Sequence, residues 1–220
     1  MKISTLQELN AAKRERRAVA LITNTITGAE RIVARADVQA GSDLEKAFRF
    51  DKSALVGDEF IGIHNPPLRL VIIGAVLIAQ SIIPIAKACG YDTTVIDPRG
   101  AFATGARFPD ITLMTDWPQD ILPKLKLDAR TGVIALAHDP KIDDPALEMA
   151  LRSEAFYIGA LGSKKSHAAR IERLTKTGFN TTELARIAGP IGLSIGAVGA
   201  HEIAISIMAQ MTQALRLGRL

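Results

Sequence analysis

Leu68-Arg69-Leu70-Val71-Ile72-Ile73-Gly74-Ala75-Val76-Leu77-Ile78-Ala79 opens the most telling stretch of the chain, and Thr93-Thr94-Val95-Ile96-Asp97 closes it. Residues 68–73 form an apolar run broken by one arginine, the pattern of a strand covered on both faces. Gly74 supplies a turn, an apolar helical run extends to Ala88, and Gly90 stops it. A second strand over 93–96 ends on Asp97. Together these residues predict a βαβ unit. Its acidic residue stands about 20 positions past the first glycine, where such units hold a ribose hydroxyl. One residue departs from the dinucleotide fingerprint, which has glycine where Val76 stands so that backbone can approach a pyrophosphate. The branched Val76 side chain obstructs that approach, while Gly74 and Ala79 preserve the turn and the close helix–strand packing. The stretch therefore predicts the fold more strongly than it predicts NAD(P) binding.

Beyond this unit, strands and helices alternate to the end of the chain. Strands are predicted over 111–114, 132–137 and 155–159. A turn or helix begins at Trp117-Pro118 and runs to 125. Asp143-Asp144-Pro145 reads as the cap of a helix reaching 152, with proline in the first turn. Helices are predicted over 164–176, 181–187 and 200–217, the first two separated from the last by a Gly-rich segment from Pro190 to Gly196. This alternation predicts an α/β domain over 67–220, with a doubly wound, Rossmann-like, mostly parallel sheet. Residues 1–66 read as a separate small α+β domain. Ser4 caps a helix over 5–14, strands over 18–22 and 31–34 flank a turn at Thr27-Gly28, and a helix over 43–48 precedes a strand over 60–63. Asn65-Pro66-Pro67 ends this domain.

Composition excludes several function classes. The net charge of +4 is spread along the chain. The Lys13-Arg14-Arg16-Arg17 cluster reads as the solvated face and end of a helix. With two Tyr and one Trp there is no stacking surface for nucleic acid. The apolar stretches near 70–90 and 203–211 are interrupted by polar residues and proline, so no membrane span is expected. The opening Met1-Lys2-Ile3-Ser4 lacks the apolar region of a secretory signal, and the single cysteine, Cys89, has no internal partner. Both features predict a reducing cytoplasm, and Cys89 itself reads as a packed core thiol.

Ligands of such sheets bind beyond the carboxyl ends of the strands, and three segments converge there. The first is Gly74 with Asp97 and Arg99. The second is His138-Asp139, where the residues leave a base, a hydrogen-bond donor, a metal ligand or a structurally satisfied turn histidine all open. The third is Gly159-Ala160-Leu161-Gly162-Ser163-Lys164-Lys165, which reads as an anion site. There, glycines free the backbone, Ser163 caps the next helix, and two lysines flank its N-terminus. His167 lies one turn into that helix, facing either the crevice or solvent. No Cys pair or His-x-x-x-His spacing suggests a protein metal cage, and no catalytic nucleophile is identifiable.

The same segments resemble the XdhC/CoxI family of accessory proteins for xanthine dehydrogenase and carbon monoxide dehydrogenase type molybdoenzymes. The resemblance rests on Asn65-Pro66-Pro67 with 68–75, Val95-Ile96-Asp97-Pro98-Arg99, Phe102-Ala103-Thr104 with Arg107-Phe108-Pro109, and His138-Asp139-Pro140-Lys141 with 143–147. It continues through 157–165 with His167, then Pro190-Ile191-Gly192-Leu193. It implies molybdenum cofactor (molybdopterin) as the bound molecule and a cysteine desulfurase and a client molybdoenzyme as partners. Two features depart from the family pattern. No Ser-Gly-Gly-Cys-type motif occurs, and Leu77 stands where the family turn often carries histidine.

Three readings follow. The first is a cofactor-binding accessory protein without turnover. An NAD(P)-dependent oxidoreductase is the second, favoured by Gly74 and Asp97 and opposed by Val76. The third is a protein–protein adaptor with a vestigial crevice. The apolar side of the last helix, with Ile203, Ile207, Met208 and Met211, serves either as core or as a homodimer face.

Overall fold

A computed structural model describes residues 2–218, which divide between Pro66 and Pro67 into two compact units. The first holds a helix α1 (Ile3–Arg14) and strands β1 (Val19–Asn24) and β2 (Glu30–Ala34). Helix α2 (Asp43–Phe50) and strands β3 (Ala54–Val56) and β4 (Glu59–His64) complete it. Its four strands form one antiparallel sheet in the order β2-β1-β4-β3. Ala20, Ile22, Phe48 and Ile61 form its core. Ser42 caps α2 by accepting from the Glu45 N–H at 3.1 Å. Two expectations fail here. Helix α1 begins at Ile3 after Lys2, leaving Ser4 inside it rather than capping it. Strand β3 is unexpected, because three residues carry no period of their own and pair only where β4 offers an edge.

The second unit is the α/β fold that the alternation predicts. Its strands are β5 (Leu68–Ile73), β6 (Tyr91–Ile96), β7 (Thr112–Met114), β8 (Thr131–Ala135), β9 (Tyr157–Ala160) and β10 (Ile187–Ala188). All pair in parallel, in the order β10-β9-β8-β5-β6-β7. Counted from β5, that is the doubly wound order in which the chain reverses direction between the first and fourth strands. The helices are α3 (Leu77–Ala88), α4 (Pro118–Leu125), α5 (Pro140–Leu151), α6 (Lys164–Lys176), α7 (Thr181–Leu184) and α8 (Ala200–Leu217).

Strand alternation sorts the core into two layers. Val71, Ile73, Val133 and Ile158 face α4, α5 and α6 with Leu122, Leu147 and Leu174. Leu70, Ile72, Val95 and Ile134 face α3 and α8 with Ile82, Ile207 and Met211. The apolar side of α8 is thus used within this unit, and Ile207 and Met211 have no exposed surface. Several of the predicted boundaries move, two of them with consequences for the site and the sheet. Helix α5 starts at Pro140, because Asp139 accepts from the Lys141 N–H at 2.9 Å and Pro140 takes the first turn. The proline expected to open this helix, Pro145, lies within it. The helix expected over 181–187 ends at Leu184, and Ile187 with Ala188 instead extends the sheet beside β9. Cys89, expected in the core, is exposed at the end of α3.

Candidate functional site

The reversal point of the sheet lies between β5 and β8, and the predicted residues lie at or beyond the carboxyl ends of β5, β6, β8 and β9. Gly74 leaves β5 with φ +107, and its N–H donates to Ile96 O at 2.8 Å. A Cβ at this position would lie 2.6 Å from the backbone nitrogen of Ala137. The β5 turn and the β8 turn are therefore in direct contact, and only glycine permits it. Val76 follows in extended conformation and precedes α3 without providing a side-chain cap.

Asp97 is fully buried. Its Oδ2 accepts from the Ala75 N–H at 2.7 Å and Arg99 Nη2 at 2.8 Å, and its Oδ1 accepts from the Arg99 N–H and Nε, both at 2.9 Å. Burial raises the carboxyl pKa, but the Arg99 and Ala75 hydrogen bonds outweigh it and hold the group below the usual carboxylate range. The carboxylate that the spacing assigned to a ribose hydroxyl is thus engaged within the protein, where it locks the β6 turn to the β5 turn. Arg99 also stacks on Phe102, its guanidinium carbon 4.7 Å from the ring centroid.

His138 is exposed at the end of β8 and holds φ +58, in the left-handed region. Few non-glycine residues adopt that backbone, and it concentrates where function fixes a side chain. The turn is held from below by Asp143 of α5, whose Oδ1 accepts from the Ala137 N–H at 3.2 Å. Replacing His138 with glycine should remove the strain and stabilise the protein by about 0.5 to 1 kcal/mol, raising Tm by a few degrees. A variant melting lower than wild type would show that the imidazole is a structural partner.

The predicted anion segment divides into two parts. Gly159 lies within β9, buried, where a Cβ would press on the Ile191 side chain at 2.5 Å. Its role is close packing, not loop freedom. Gly162, with φ +145, makes the turn, and Ser163 caps α6 by accepting from the Ser166 N–H at 3.1 Å. Lys164 and Lys165 are exposed on the first turn of α6. His167 is half-buried against Gly189, which has no room for a Cβ beside the imidazole. Its Nδ1 is buried without a hydrogen-bond partner. Burial, and then the Arg170 charge, lower its pKa, so the ring is neutral near pH 7. It is therefore not the free surface residue that one reading allowed.

Sequence reasoning missed the most unusual feature of this end of the sheet. Between α5 and α6 lies a pocket of about 220 Å³ lined by His138, Asp143, Asp144, Ser166, Arg170 and Arg173, with apolar contributions from Pro140 and Ala169. Asp144 and Arg173 form an ion pair at 2.5 Å. Asp143 and Arg170 are 1% and 4% exposed. Arg170 Nη2 donates to Leu161 O at 2.8 Å, but its Nε and Nη1, together with Asp143 Oδ2, have no partner. Each such buried, unmade hydrogen bond costs about 1–3 kcal/mol. Burial pushes the Asp143 carboxyl up to about 6 against the pull of Arg170. The signal in the sequence is an acidic residue within the apolar stripe Ile142, Ala146, Leu147, matched by Arg170 one turn before Leu174.

The sign of that shift sets a pH dependence. The folded state holds the Asp143 proton more tightly than the unfolded chain does. The favourable contribution is complete below the ordinary value of 3.8 and is lost as pH rises to about 6. Melting curves of wild type and Asp143→Asn between pH 4 and 7 should therefore converge at the acid end and favour the variant at neutral pH. Parallel curves across that window would remove this assignment.

Comparison with known proteins gives the family. Residues 70–211 match the XdhC Rossmann domain model. The chain belongs to this family. It is 32% identical over 147 residues to the molybdenum cofactor insertion chaperone PaoD of Escherichia coli, spanning 67% of this chain and 40% of that protein. It is also 29% identical over 155 residues to a probable xanthine dehydrogenase subunit of Bacillus subtilis, covering 70% and 45% of the two chains. The chain thus spans less than half the length of either relative. A crystal structure of a xanthine dehydrogenase from Bacillus halodurans superposes with a TM-score of 0.69 at 26% identity, over 97% of this chain and 64% of that one. Among the described residues, no group of three or more His, Cys, Asp or Glu side chains could hold a metal, and no helix is long and apolar enough to cross a membrane.

Proposed function

We propose that this XdhC-family chain binds molybdenum cofactor as its cargo and helps install it in a xanthine dehydrogenase or CO dehydrogenase type molybdoenzyme. In this reading the cofactor is shielded in the cytoplasm while a cysteine desulfurase supplies its terminal sulfur. The observation that carries the reading is the likeness, across most of the α/β unit, to a protein named as a molybdenum cofactor insertion chaperone. The chemistry of the loops is compatible. The metal arrives already held by the dithiolene of the pterin, so the protein needs no cage of its own. His138 projects from a held turn toward the cargo, and Lys164 and Lys165 flank the N-terminus of α6, a favourable place for the anionic tail. Asp97 and Arg99 order the neighbouring turns without touching it.

Complementation tests the role. A host lacking its own copy should regain activity of the client molybdoenzyme when this chain is expressed, and should accumulate sulfur-free client without it. Equal client activity in both hosts would refute the proposal. A finer expectation concerns the lysines. Changing Lys164 and Lys165 together to alanine should leave Tm unchanged, because exposed lysines add little to stability. The loss of about 1 kcal/mol of attraction should weaken cofactor binding roughly fivefold at low salt. Unchanged affinity would place the tail elsewhere.

A further inference from the structure

The pocket between α5 and α6 has walls of mixed charge, which restricts what it can hold. Asp143 and Asp144 disfavour phosphate or any other anion, and Arg170 and Arg173 disfavour a bare cation. Asp144 and Arg173 already satisfy each other. What remains is one buried carboxylate oxygen able to accept and two buried guanidinium nitrogens able to donate, on side chains that are almost wholly enclosed. Their complement is a neutral group presenting donors and an acceptor side by side. Pro140 and Ala169 add apolar surface without bulk, which suits a flat ring.

We propose that this pocket recognises the 2-amino-4-oxopyrimidine edge of a pterin or a guanine. Asp143 accepts from the ring N–H and the amino group, and Arg170 donates to the ring carbonyl through one of its two unpartnered nitrogens, which lie on different edges of the guanidinium. The Ala137 N–H occupies only part of the capacity of Asp143, since a carboxylate has about four acceptor positions. The assignment deepens the cofactor-binding reading and rests on it. It divides the cargo along the sheet: ring edge between α5 and α6, His138 at the rim of the same pocket, anionic tail toward Lys164 and Lys165.

The test uses free pteridines, followed by their own fluorescence as the full chain is added. Pterin carries the amino group. Lumazine replaces it with a carbonyl that would face the carboxylate. Wild type should bind pterin about tenfold or more tightly than lumazine, because the wrong edge leaves buried groups unpaired. Asp143→Asn should erase or reverse that preference, since its amide can donate to the lumazine carbonyl. Equal affinity for the two rings in wild type, or an unchanged preference in the variant, overturns the proposal. Should Asp143→Asn fail to fold, Ala169→Leu decides: it adds bulk to the pocket wall while leaving every polar side chain in place, and undiminished pterin binding would refute the site. Guanosine, titrated in parallel, separates the sources, since tighter binding than pterin would assign the pocket to a nucleobase. Intact molybdenum cofactor forms the last arm. Cofactor binding without any pterin preference refutes the pocket and spares the functional reading. Pterin preference without cofactor binding does the reverse.

Discussion

Gly74→Ala should lower the melting temperature by roughly 6 to 12 °C, corresponding to about 3 kcal/mol in a chain of this size. Two penalties combine at one residue. The backbone holds φ +107, which an L side chain rarely adopts, and a new Cβ would lie 2.6 and 2.8 Å from the N and Cα of Ala137. Neither neighbour is a flexible side-chain tip that can swing aside. Relief requires the β5 and β8 turns to separate, which would also displace His138. The variant should therefore lose cofactor binding even at temperatures where it remains folded. Gly90→Ala is the control, because it shares a positive φ but has nothing within 4 Å of the added methyl. Its smaller loss measures backbone strain alone. Equal losses at the two positions would show that contact between the turns contributes nothing.

Asp97→Ala should cost about 3 kcal/mol near neutral pH, since removing one partner of a buried pair strands the other. The Arg99 side chain is 32% exposed, which moderates the loss, but the Ala75 N–H is left without its acceptor in the core. The pH dependence identifies the cause. The pKa of Asp97 is depressed in the folded state, so its stabilising contribution is present above the ordinary carboxylate range. It is lost as pH falls through the lowered value. Wild type should thus lose part of its stability on acidification, and Asp97→Ala should show a flatter acid limb in chemical denaturation from pH 2 to 5. A variant as stable as wild type at pH 7 would mean that the carboxylate is held for a ligand and not for the fold.

That distinction marks how far the sequence is legible. The βαβ unit from Leu68 to Asp97 can be read because each of its signals has a local cause: a largely apolar strand, a glycine turn, a helical run and a second strand. Helix α8 can be read from its long amphipathic period. Strands β3 and β10 cannot, being two or three residues that exist only because β4 and β9 present free edges. Asp97 stands where the spacing puts it, at the end of β6, but spacing does not reveal that Arg99, two residues on, folds back onto the same carboxylate. Asp143 reads as a cap because an acidic pair before a proline resembles one. Asp139 takes that role, four residues earlier, which turns Asp143 inward. The opposition of Asp143 and Arg170 depends on how two helices pack, and no local pattern records it.

Equilibrium binding of molybdenum cofactor to the purified chain is the decisive measurement. The cofactor would be released from a molybdoenzyme under anaerobic conditions and titrated by absorbance, with an unrelated protein of similar charge as the reference. Saturable binding at one cofactor per chain is expected, with a Kd of roughly micromolar or tighter. Double replacement of Lys164 and Lys165 should weaken that binding. Titration no stronger than that of the reference protein would contradict a cofactor-carrying role for this chain.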